Sequence, residues 1–142
     1  MGFSFLPLDK SYIALKQDEG EELLPYKCSE GHLTIGIGHL LANGISREVS
    51  KIIFYEDFVK AQMDCWAKIP CYAGLNEARR YVLANMCFNM GINRLLGFKK
   101  MLAALDNQYY ERAALEMMDS KWATQVKGRA ARLKEIMIKG EW

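Results

Sequence analysis

The sequence is poor in the side chains and motifs that build metal centres. Its 142 residues include only two histidines, His32 and His39. No HExxH or CxxC pattern, the spacings typical of zinc sites, accompanies them. We therefore expect neither a metal nor another cofactor, and we expect His39 to make a structural hydrogen bond instead.

Targeting and membrane signals are also missing. The opening residues lack the basic start of a secretion signal, and no apolar run is long enough to span a membrane. We therefore expect synthesis without a signal peptide. The four cysteines are then expected to stay reduced. A bridge between Cys65 and Cys71 around Pro70 is the alternative, although both also fit as small buried apolar residues.

No repeat or low-complexity linker divides the chain, and 51% of its residues are hydrophobic. This length and composition predict one domain, residues 1–142, with a core of useful size. The formal net charge is +2, and the basic side chains concentrate towards the C-terminal part. Such a segment suits an acidic polymer, either a bacterial wall or a nucleic acid, or is an ordinary solvated helix face. No nucleic-acid-binding motif accompanies it, so nucleic acid is not the expected partner.

A carboxylate stands out near the start of the chain. Asp9 or Ser11 can cap a short helix that Gly20 ends, and Glu19 then shares one stripe of that helix with Tyr12 and Leu15. Glu19 thus occupies a position where an apolar residue is expected. The alternative is that Glu19 belongs to a solvated acidic cluster over residues 18–22.

A strand with two different faces follows. Leu33, Ile35 and Ile37 form an apolar face, whereas the other face carries Thr34, Gly36 and Gly38. Two glycines on one face are typical of a place where a ligand or another backbone comes close. The alternative is a hairpin with glycine bends, in which the threonine serves only β propensity.

The rest of the chain predicts helices separated by turn signals. Only one convincing strand region is found, at about residues 26–39, so the fold is predicted to be α+β, mostly helical with a small β-hairpin lobe. Ser46 can start one helix, Pro70 ends a helical segment from about residue 55 to 68, and Asn76 can cap the next. The predicted helices after Asn76 are residues 77–90, 95–105, 111–118 and 129–139.

The spacing Glu19, eight residues, Cys28, five residues, Thr34, followed by the run TIGIGH, resembles the phage-type lysozymes, the T4 lysozyme-like endolysins of glycoside hydrolase family 24. The likeness continues through ANMCFNMG (residues 84–91), Gly97-Phe98 and KWATQVKGRAAR (residues 121–132). It implies a lysozyme-like fold with a small β lobe at about residues 20–50, a helical lobe, and a substrate cleft between the lobes. It also implies an endolysin that hydrolyses the β-1,4 bond between N-acetylmuramic acid and N-acetylglucosamine in peptidoglycan and so lyses the host cell.

The resemblance also implies roles for the three residues that carry it. Glu19 matches the general acid that protonates the glycosidic oxygen, and Thr34 matches a residue that helps to hold the attacking water. Cys28 stands where the best-known members have aspartate. A neutral thiol is a poor base, with a reference pKa of about 8.5 against about 3.9 for aspartate. Base, water holder and nucleophile all remain open for Cys28, and so does an inverting or retaining outcome.

Further residues match segments that surround the family's cleft. Leu40, Phe88 and Asn89 are expected to contact the substrate, with Phe88 as an apolar platform and Asn89 as an amide for an N-acetyl or hydroxyl group. Arg129 matches an arginine that pairs with the catalytic glutamate. The family also implies a monomer without membrane insertion, which reaches the periplasmic face of the wall through a holin or another export route. A wall-binding module without catalysis is the competing interpretation, and the presence of Glu19 and Thr34 argues against it.

Overall fold

The computed structural model describes residues 6–142 as two compact units. The first unit ends at Ser50, and the second runs from Lys51 to Trp142. The organisation of the chain as one domain stays a prediction.

The first unit opens with helix α1, Leu8–Glu19. The helix ends where predicted, at Gly20, whose φ of 75° is unfavourable for a residue with a side chain. The predicted cap at Asp9 or Ser11 is wrong: Pro7 precedes the helix and no side chain caps it. Proline suits a helix start because its fixed φ is helical and its missing N–H would have no partner there.

A three-stranded antiparallel sheet follows, in the order β1-β2-β3. Its strands are β1 (Glu22–Lys27), β2 (Leu33–Gly36) and β3 (His39–Leu40). The pairing of β1 with β2 is irregular between Glu22 and Tyr26, the stretch that contains Pro25, which has no N–H to donate to the ladder. The predicted strand region at about residues 26–39 is confirmed as β structure, but β1 begins earlier, at Glu22, and the third strand, β3, was not predicted.

The residues of β2 differ in burial. Leu33 is 50% exposed, whereas Thr34 is only 2% exposed and is the one buried residue in the described part of the first unit. On the apolar face, Leu33 is thus exposed while Ile35 is half-buried. A hydroxyl that is buried needs a hydrogen-bond partner, and Thr34 has one.

Helix α2, Arg47–Lys68, begins in the first unit and continues into the second. Ser46 starts it as predicted, because its Oγ accepts a hydrogen bond from the Val49 amide at 3.2 Å. The helix is one continuous element of 22 residues, longer than the predicted segment from residue 55.

The second unit continues with six further helices. They are α3 (Glu77–Met90), α4 (Ile92–Leu96), α5 (Lys99–Asp106), α6 (Tyr110–Met118), α7 (Lys121–Val126) and α8 (Gly128–Lys139). The predicted cap of α3 is confirmed, since the Asn76 side chain accepts from the Arg79 amide at 3.0 Å. The predicted helix 95–105 is wrong in its continuity: α4 ends at Leu96, and Gly97-Phe98 separates it from α5. Helix α7 was not predicted.

Every buried apolar side chain of the described residues lies in the second unit. The most deeply buried include Leu83, Met86, Leu95, Met101 and Met137. Helix α6 contacts both α5 and α8, so these helices share one core. Burial of such side chains is the main source of stability in a domain of this size.

Arg79 of α3 is hydrogen-bonded to the C-terminal end of α8. Its Nε donates to the Met137 carbonyl at 2.9 Å and its Nη2 donates to the Ile138 carbonyl at 3.0 Å. The guanidinium lies 3.5 Å from the centre of the Tyr110 ring, an arrangement that adds a cation–π attraction. One side chain therefore joins three helices of the second unit.

Among residues 6–142, no helix is both long and apolar enough to cross a bilayer.

Candidate active site

Glu19 is the last residue of α1, at the turn that leads into the sheet, and its side chain is exposed. Two residues later, the side chain of Glu21 bonds to side chains of α1. Its carboxylate pairs with Lys16 and accepts a hydrogen bond from the Tyr12 hydroxyl at 3.1 Å. These bonds lower the pKa of Glu21, the Lys16 hydrogen bond most of all, and they hold the turn that carries Glu19.

Cys28 lies in the tight loop between β1 and β2. The Cys28 amide donates to the His32 carbonyl at 2.9 Å, and the Gly31 amide donates to the Cys28 carbonyl at 2.8 Å. Gly31 has a φ of 82°, a left-handed conformation that glycine adopts without strain. The main chain therefore fixes the position of Cys28 from both sides of the loop.

Thr34 faces this loop from β2. Its Oγ1 donates to the His32 carbonyl at 3.0 Å, the same oxygen that accepts from the Cys28 amide. The His32 carbonyl thus ties Cys28 and Thr34 together. Sequence reasoning missed this group, because a main-chain oxygen leaves no mark on residue type.

The surroundings of Cys28 favour its ionised form. Hydrogen bonds from the main chain of Glu30, then of His32, lower the pKa of the Cys28 thiol. Donors that point at a sulfur stabilise the thiolate, which is the reactive form of cysteine. A neutral thiol is a poor base, and the lowered pKa makes the ionised form of Cys28, which can accept a proton, easier to reach.

Two further predicted residues lie in the same unit. Leu40 of β3 is the cross-strand partner of Thr34, and is half-buried. His39 Nε2 lies 2.8 Å from the Gly44 carbonyl, so the structural hydrogen bond expected for His39 is present. The first unit therefore brings Cys28, Thr34 and Leu40 together across its three strands.

The second unit holds Phe88 and Asn89 near the end of α3. The ring of Phe88 is 44% exposed and lies edge-on to Phe54 and Phe58, with centroids 5.9 and 6.1 Å away. Asn89 Oδ1 accepts a hydrogen bond from the Trp122 indole at 2.9 Å. The sequence predicted that the Asn89 amide needs a partner, but not that Trp122 supplies it.

Beside this pair lies a groove of about 540 Å³. Met90, Phe98 and Trp122 form its apolar lining, and its charged rim is mostly basic. Trp122 Nε1 is committed to Asn89, which leaves the Asn89 NH₂ group as a donor. The groove itself is lined by aromatic and basic side chains, and Asn89 is not part of its lining.

Arg129 of α8 lines a separate pocket of about 400 Å³ together with Arg132 and Asn85. Asn85 Oδ1 is buried there without a hydrogen-bond partner. The predicted pairing of Arg129 with Glu19 would join the two units, and it stays a prediction.

Among residues 6–142, no group of three or more histidine, cysteine, aspartate or glutamate side chains is arranged to hold a metal ion.

Comparison with known proteins places this arrangement in one family. The sequence model described as phage lysozyme matches residues 16–136. A probable T4-type lysozyme 2 from Dictyostelium discoideum is 30% identical, over 89% of this chain and 92% of that protein. The endolysin of Salmonella phage P22 is 32% identical, over 70% of this chain and 73% of its own. The pre-baseplate central spike protein Gp5 of Enterobacteria phage T4 is 31% identical over 89% of this chain, which corresponds to 27% of Gp5.

The sheet-and-helix fold and these matches define a glycoside hydrolase that acts on peptidoglycan. The chain belongs to the phage lysozyme family.

Proposed function

We propose that this enzyme hydrolyses the β-1,4 bond between N-acetylmuramic acid and N-acetylglucosamine, and that Glu19, Cys28 and Thr34 carry the reaction. The observation that supports the proposal most directly is the loop that fixes Cys28 and Thr34 on one carbonyl, that of His32. A family member needs a water held against the sugar, and we assign the Cys28 thiol and the Thr34 hydroxyl to that water.

Glu19 supplies the proton. Its place at the end of α1, with an exposed side chain, leaves the carboxyl group free to reach a glycosidic oxygen. Protonation of that oxygen turns the departing sugar into a neutral alcohol and lowers the barrier to bond cleavage.

Thr34 and Cys28 handle the water. The single hydroxyl proton of Thr34 goes to the His32 carbonyl, so the Thr34 oxygen accepts a hydrogen bond from the water. The Cys28 thiolate accepts the proton that the water loses when its oxygen attacks the anomeric carbon. A direct attack by water on the face opposite the leaving group inverts the configuration at that carbon.

The sugar contacts are Leu40 in the first unit and Phe88 with Asn89 in the second. The exposed part of the Phe88 ring supplies an apolar face, and the free NH₂ of Asn89 donates to the carbonyl of an N-acetyl group. We further infer that the protein acts as a monomer, that it is made in the bacterial cytoplasm, and that a holin or another export route brings it to the wall. In that setting cleavage of the wall lyses the host cell.

The decisive experiment is mass analysis of the fragments that the enzyme releases from purified peptidoglycan. Hydrolysis of the proposed bond leaves a reducing N-acetylmuramic acid end that borohydride reduces. A reducing N-acetylglucosamine end, or an anhydro-muramic end, would contradict the proposed bond or the use of water.

The matched pair Glu19→Gln and Glu22→Gln tests the proton donor. Glutamine cannot donate the proton, so we expect Glu19→Gln to lose activity by about 10²–10⁴-fold or more while it keeps its circular dichroism spectrum. Glu22 is an exposed carboxylate of β1, and its substitution should leave activity close to wild type. Retained clearing of peptidoglycan by Glu19→Gln would refute the role of Glu19.

A further inference from the structure

A second groove of the second unit is lined by residues of α2, residues of α3 and Trp142. We call it the aromatic groove, and its volume is about 530 Å³. Aromatic residues make up 11% of the chain but half of the lining of this groove, namely Phe58, Trp66, Tyr72, Tyr81 and Trp142. None of the residues proposed for catalysis or for sugar contact lines it.

Two of these rings leave large surfaces open to solvent. Trp66 is 61% exposed and Trp142 is 68% exposed, although tryptophan is on average a highly buried residue. Each ring nevertheless contacts a tyrosine of the groove. The centroid of Trp66 lies 6.2 Å from that of Tyr72, and the centroid of Trp142 lies 4.3 Å from that of Tyr81. Rings that are held in this way offer binding area at a low cost in conformational entropy.

The main chain that carries Trp142 is also anchored. Asn76 Nδ2 donates a hydrogen bond to the Gly140 carbonyl at 2.9 Å, two residues before Trp142. Arg79 holds the preceding turn of α8 through the Met137 carbonyl. The indole of Trp142 therefore belongs to a defined part of the second unit.

Polar groups accompany the rings. Gln62 supplies an amide, Glu77 a carboxylate and Arg80 a guanidinium group. Among residues 6–142, neither Glu77 nor Arg80 takes part in an ion pair. The Tyr81 hydroxyl accepts from Asn85 Nδ2 at 3.1 Å, which leaves its own proton for a ligand. The aromatic groove thus offers both donors and acceptors, and its one acidic and one basic side chain leave it without net charge.

We propose that the aromatic groove is a second binding site for the glycan strand of peptidoglycan, which holds neutral N-acetylated sugars in addition to those at the cleaved bond. A sugar ring has apolar C–H faces and a polar edge of hydroxyl and amide groups, and the groove offers partners to both. Its lack of net charge favours neutral sugars over a phosphate-bearing polymer. The proposal rests on peptidoglycan as the substrate of the enzyme and on none of the proposed catalytic residues.

The aromatic groove is continuous with the proposed sugar contact at Phe88. Phe58 lines the groove, and its ring centroid lies 6.1 Å from that of Phe88 and 6.5 Å from that of Tyr81. Neighbouring rings thus lead from Phe88 through Phe58 and Tyr81 to Trp142. A strand that contacts Phe88 and the groove at once should bind more tightly than a fragment that reaches only one of them.

The first test follows the indole N–H signals of the intact chain by nuclear magnetic resonance. The three tryptophans give three such signals, and the probe is chitohexaose, a β-1,4-linked hexamer of N-acetylglucosamine that lacks the bond proposed for cleavage. We expect the signals of Trp66 and Trp142 to shift and to saturate. The Trp122 signal should shift less, because that indole is hydrogen-bonded to Asn89 and lies outside the aromatic groove.

Three outcomes of this titration would overturn the proposal. They are the absence of a shift at both Trp66 and Trp142, a shift confined to Trp122, and the same shifts on concentrating the protein without sugar. The last outcome would assign the groove to a second copy of the chain.

The second test measures the affinity for chitohexaose by calorimetry. We expect Trp66→Ala and Trp142→Ala each to weaken binding by about tenfold, the effect typical of removing an aromatic anchor. Tyr109→Ala is the matched control, since Tyr109 is an equally exposed aromatic residue of the second unit that does not line the groove. Unchanged affinity in both tryptophan variants, or an equal loss in Tyr109→Ala, would refute the site. Neither test depends on cleavage, so a failure of the proposed catalytic roles would leave both results valid.

Discussion

The first unit and the second unit differ in what they bury. In the described part of the first unit a single side chain, the polar Thr34, is buried, whereas the second unit holds all the buried apolar residues found in residues 6–142. The three proposed catalytic residues all lie in the first unit. The unit that holds these proposed residues therefore depends mainly on hydrogen bonds of its main chain, and the second unit contains the buried apolar core.

The cysteines show the same contrast in their ionisation. In the first unit, hydrogen bonds from the main chain of Glu30 and His32 lower the pKa of Cys28. In the second unit, burial raises the pKa of Cys65 and Cys87, and it raises that of Cys71 to about 11. One residue type thus serves as a candidate reactive group in one unit and as a packing residue in the other.

Among the effects that test this contrast between the units, the largest is expected for Cys28. If its thiolate acts as the base, Cys28→Ala should lower the rate of peptidoglycan cleavage by about 10²–10⁴-fold, while Cys28→Asp retains much of the activity. Cys71→Ala, in the second unit, is the matched control and should cleave at close to the wild-type rate. Equal turnover of Cys28→Ala, Cys28→Asp and wild type would remove Cys28 from the mechanism.

The next effect concerns stability. Leu95 is fully buried in the second unit and Leu24 is 78% exposed in the first. We expect Leu95→Ala to lower the free energy of unfolding by about 2–5 kcal/mol, and Leu24→Ala to change it by less than about 0.5 kcal/mol. Urea unfolding followed by circular dichroism measures both values. A loss of unfolding free energy for Leu24→Ala as large as that for Leu95→Ala would contradict the difference in hydrophobic burial between the two units.

The third effect is the order in which thiols react. Native Cys28 should be alkylated by iodoacetamide at lower pH than the same cysteine in the unfolded chain, and Cys71 only at higher pH. Mass spectrometry of the labelled peptides across a pH series gives both curves.

The same pKa shifts make stability depend on pH. By linkage, Cys28 stabilises the fold at pH values above its unfolded pKa and loses this contribution as the pH falls through its lowered folded pKa. Cys71 contributes below its unfolded pKa and loses its contribution as the pH rises towards about 11. Labelling of Cys71 before Cys28 would reverse the comparison.

The smallest effect should come from Thr34→Val. The substitution removes the hydroxyl that donates to the His32 carbonyl, but that oxygen keeps its bond from the Cys28 amide. A net cost of about 0.5–1.5 kcal/mol in unfolding free energy is expected, together with slower cleavage. Thr124→Val is the control, since Thr124 is exposed and makes only a long bond of 3.4 Å to the Ser120 carbonyl. Unchanged cleavage by Thr34→Val would remove Thr34 as the water holder.

The sequence predicts the elements whose ends have a chemical signature. Gly20 ends α1, Ser46 starts α2 and Asn76 caps α3, because each residue satisfies a helix end in a way that its type reveals. Helix α7 was not predicted, because its six residues are too few to show the hydrophobic period of a helix. The burial of Thr34 and the exposure of Leu33 were not predicted, since alternation alone does not say which side of a strand packs.

The candidate site also has a part that the sequence predicts and a part that it does not. Glu19, Cys28 and Thr34 could be named from spacing and resemblance because the motif of the family consists of side chains, which the sequence shows directly. The partners that hold them could not, since the His32 carbonyl is main chain and the Trp122 partner of Asn89 lies 33 residues away. Contacts between distant positions depend on how helices pack, which residue order does not fix locally.

The shared acceptor at His32 has a consequence for how this enzyme can evolve. An oxygen that belongs to the peptide bond is present whatever residue occupies position 32, so selection on this contact acts on the shape of the loop. Gly31, with its left-handed backbone, is then the genetically sensitive position, and the imidazole of His32 is free to drift. In a library of variants we expect position 32 to accept many amino acids, and position 31 to accept few besides glycine and asparagine.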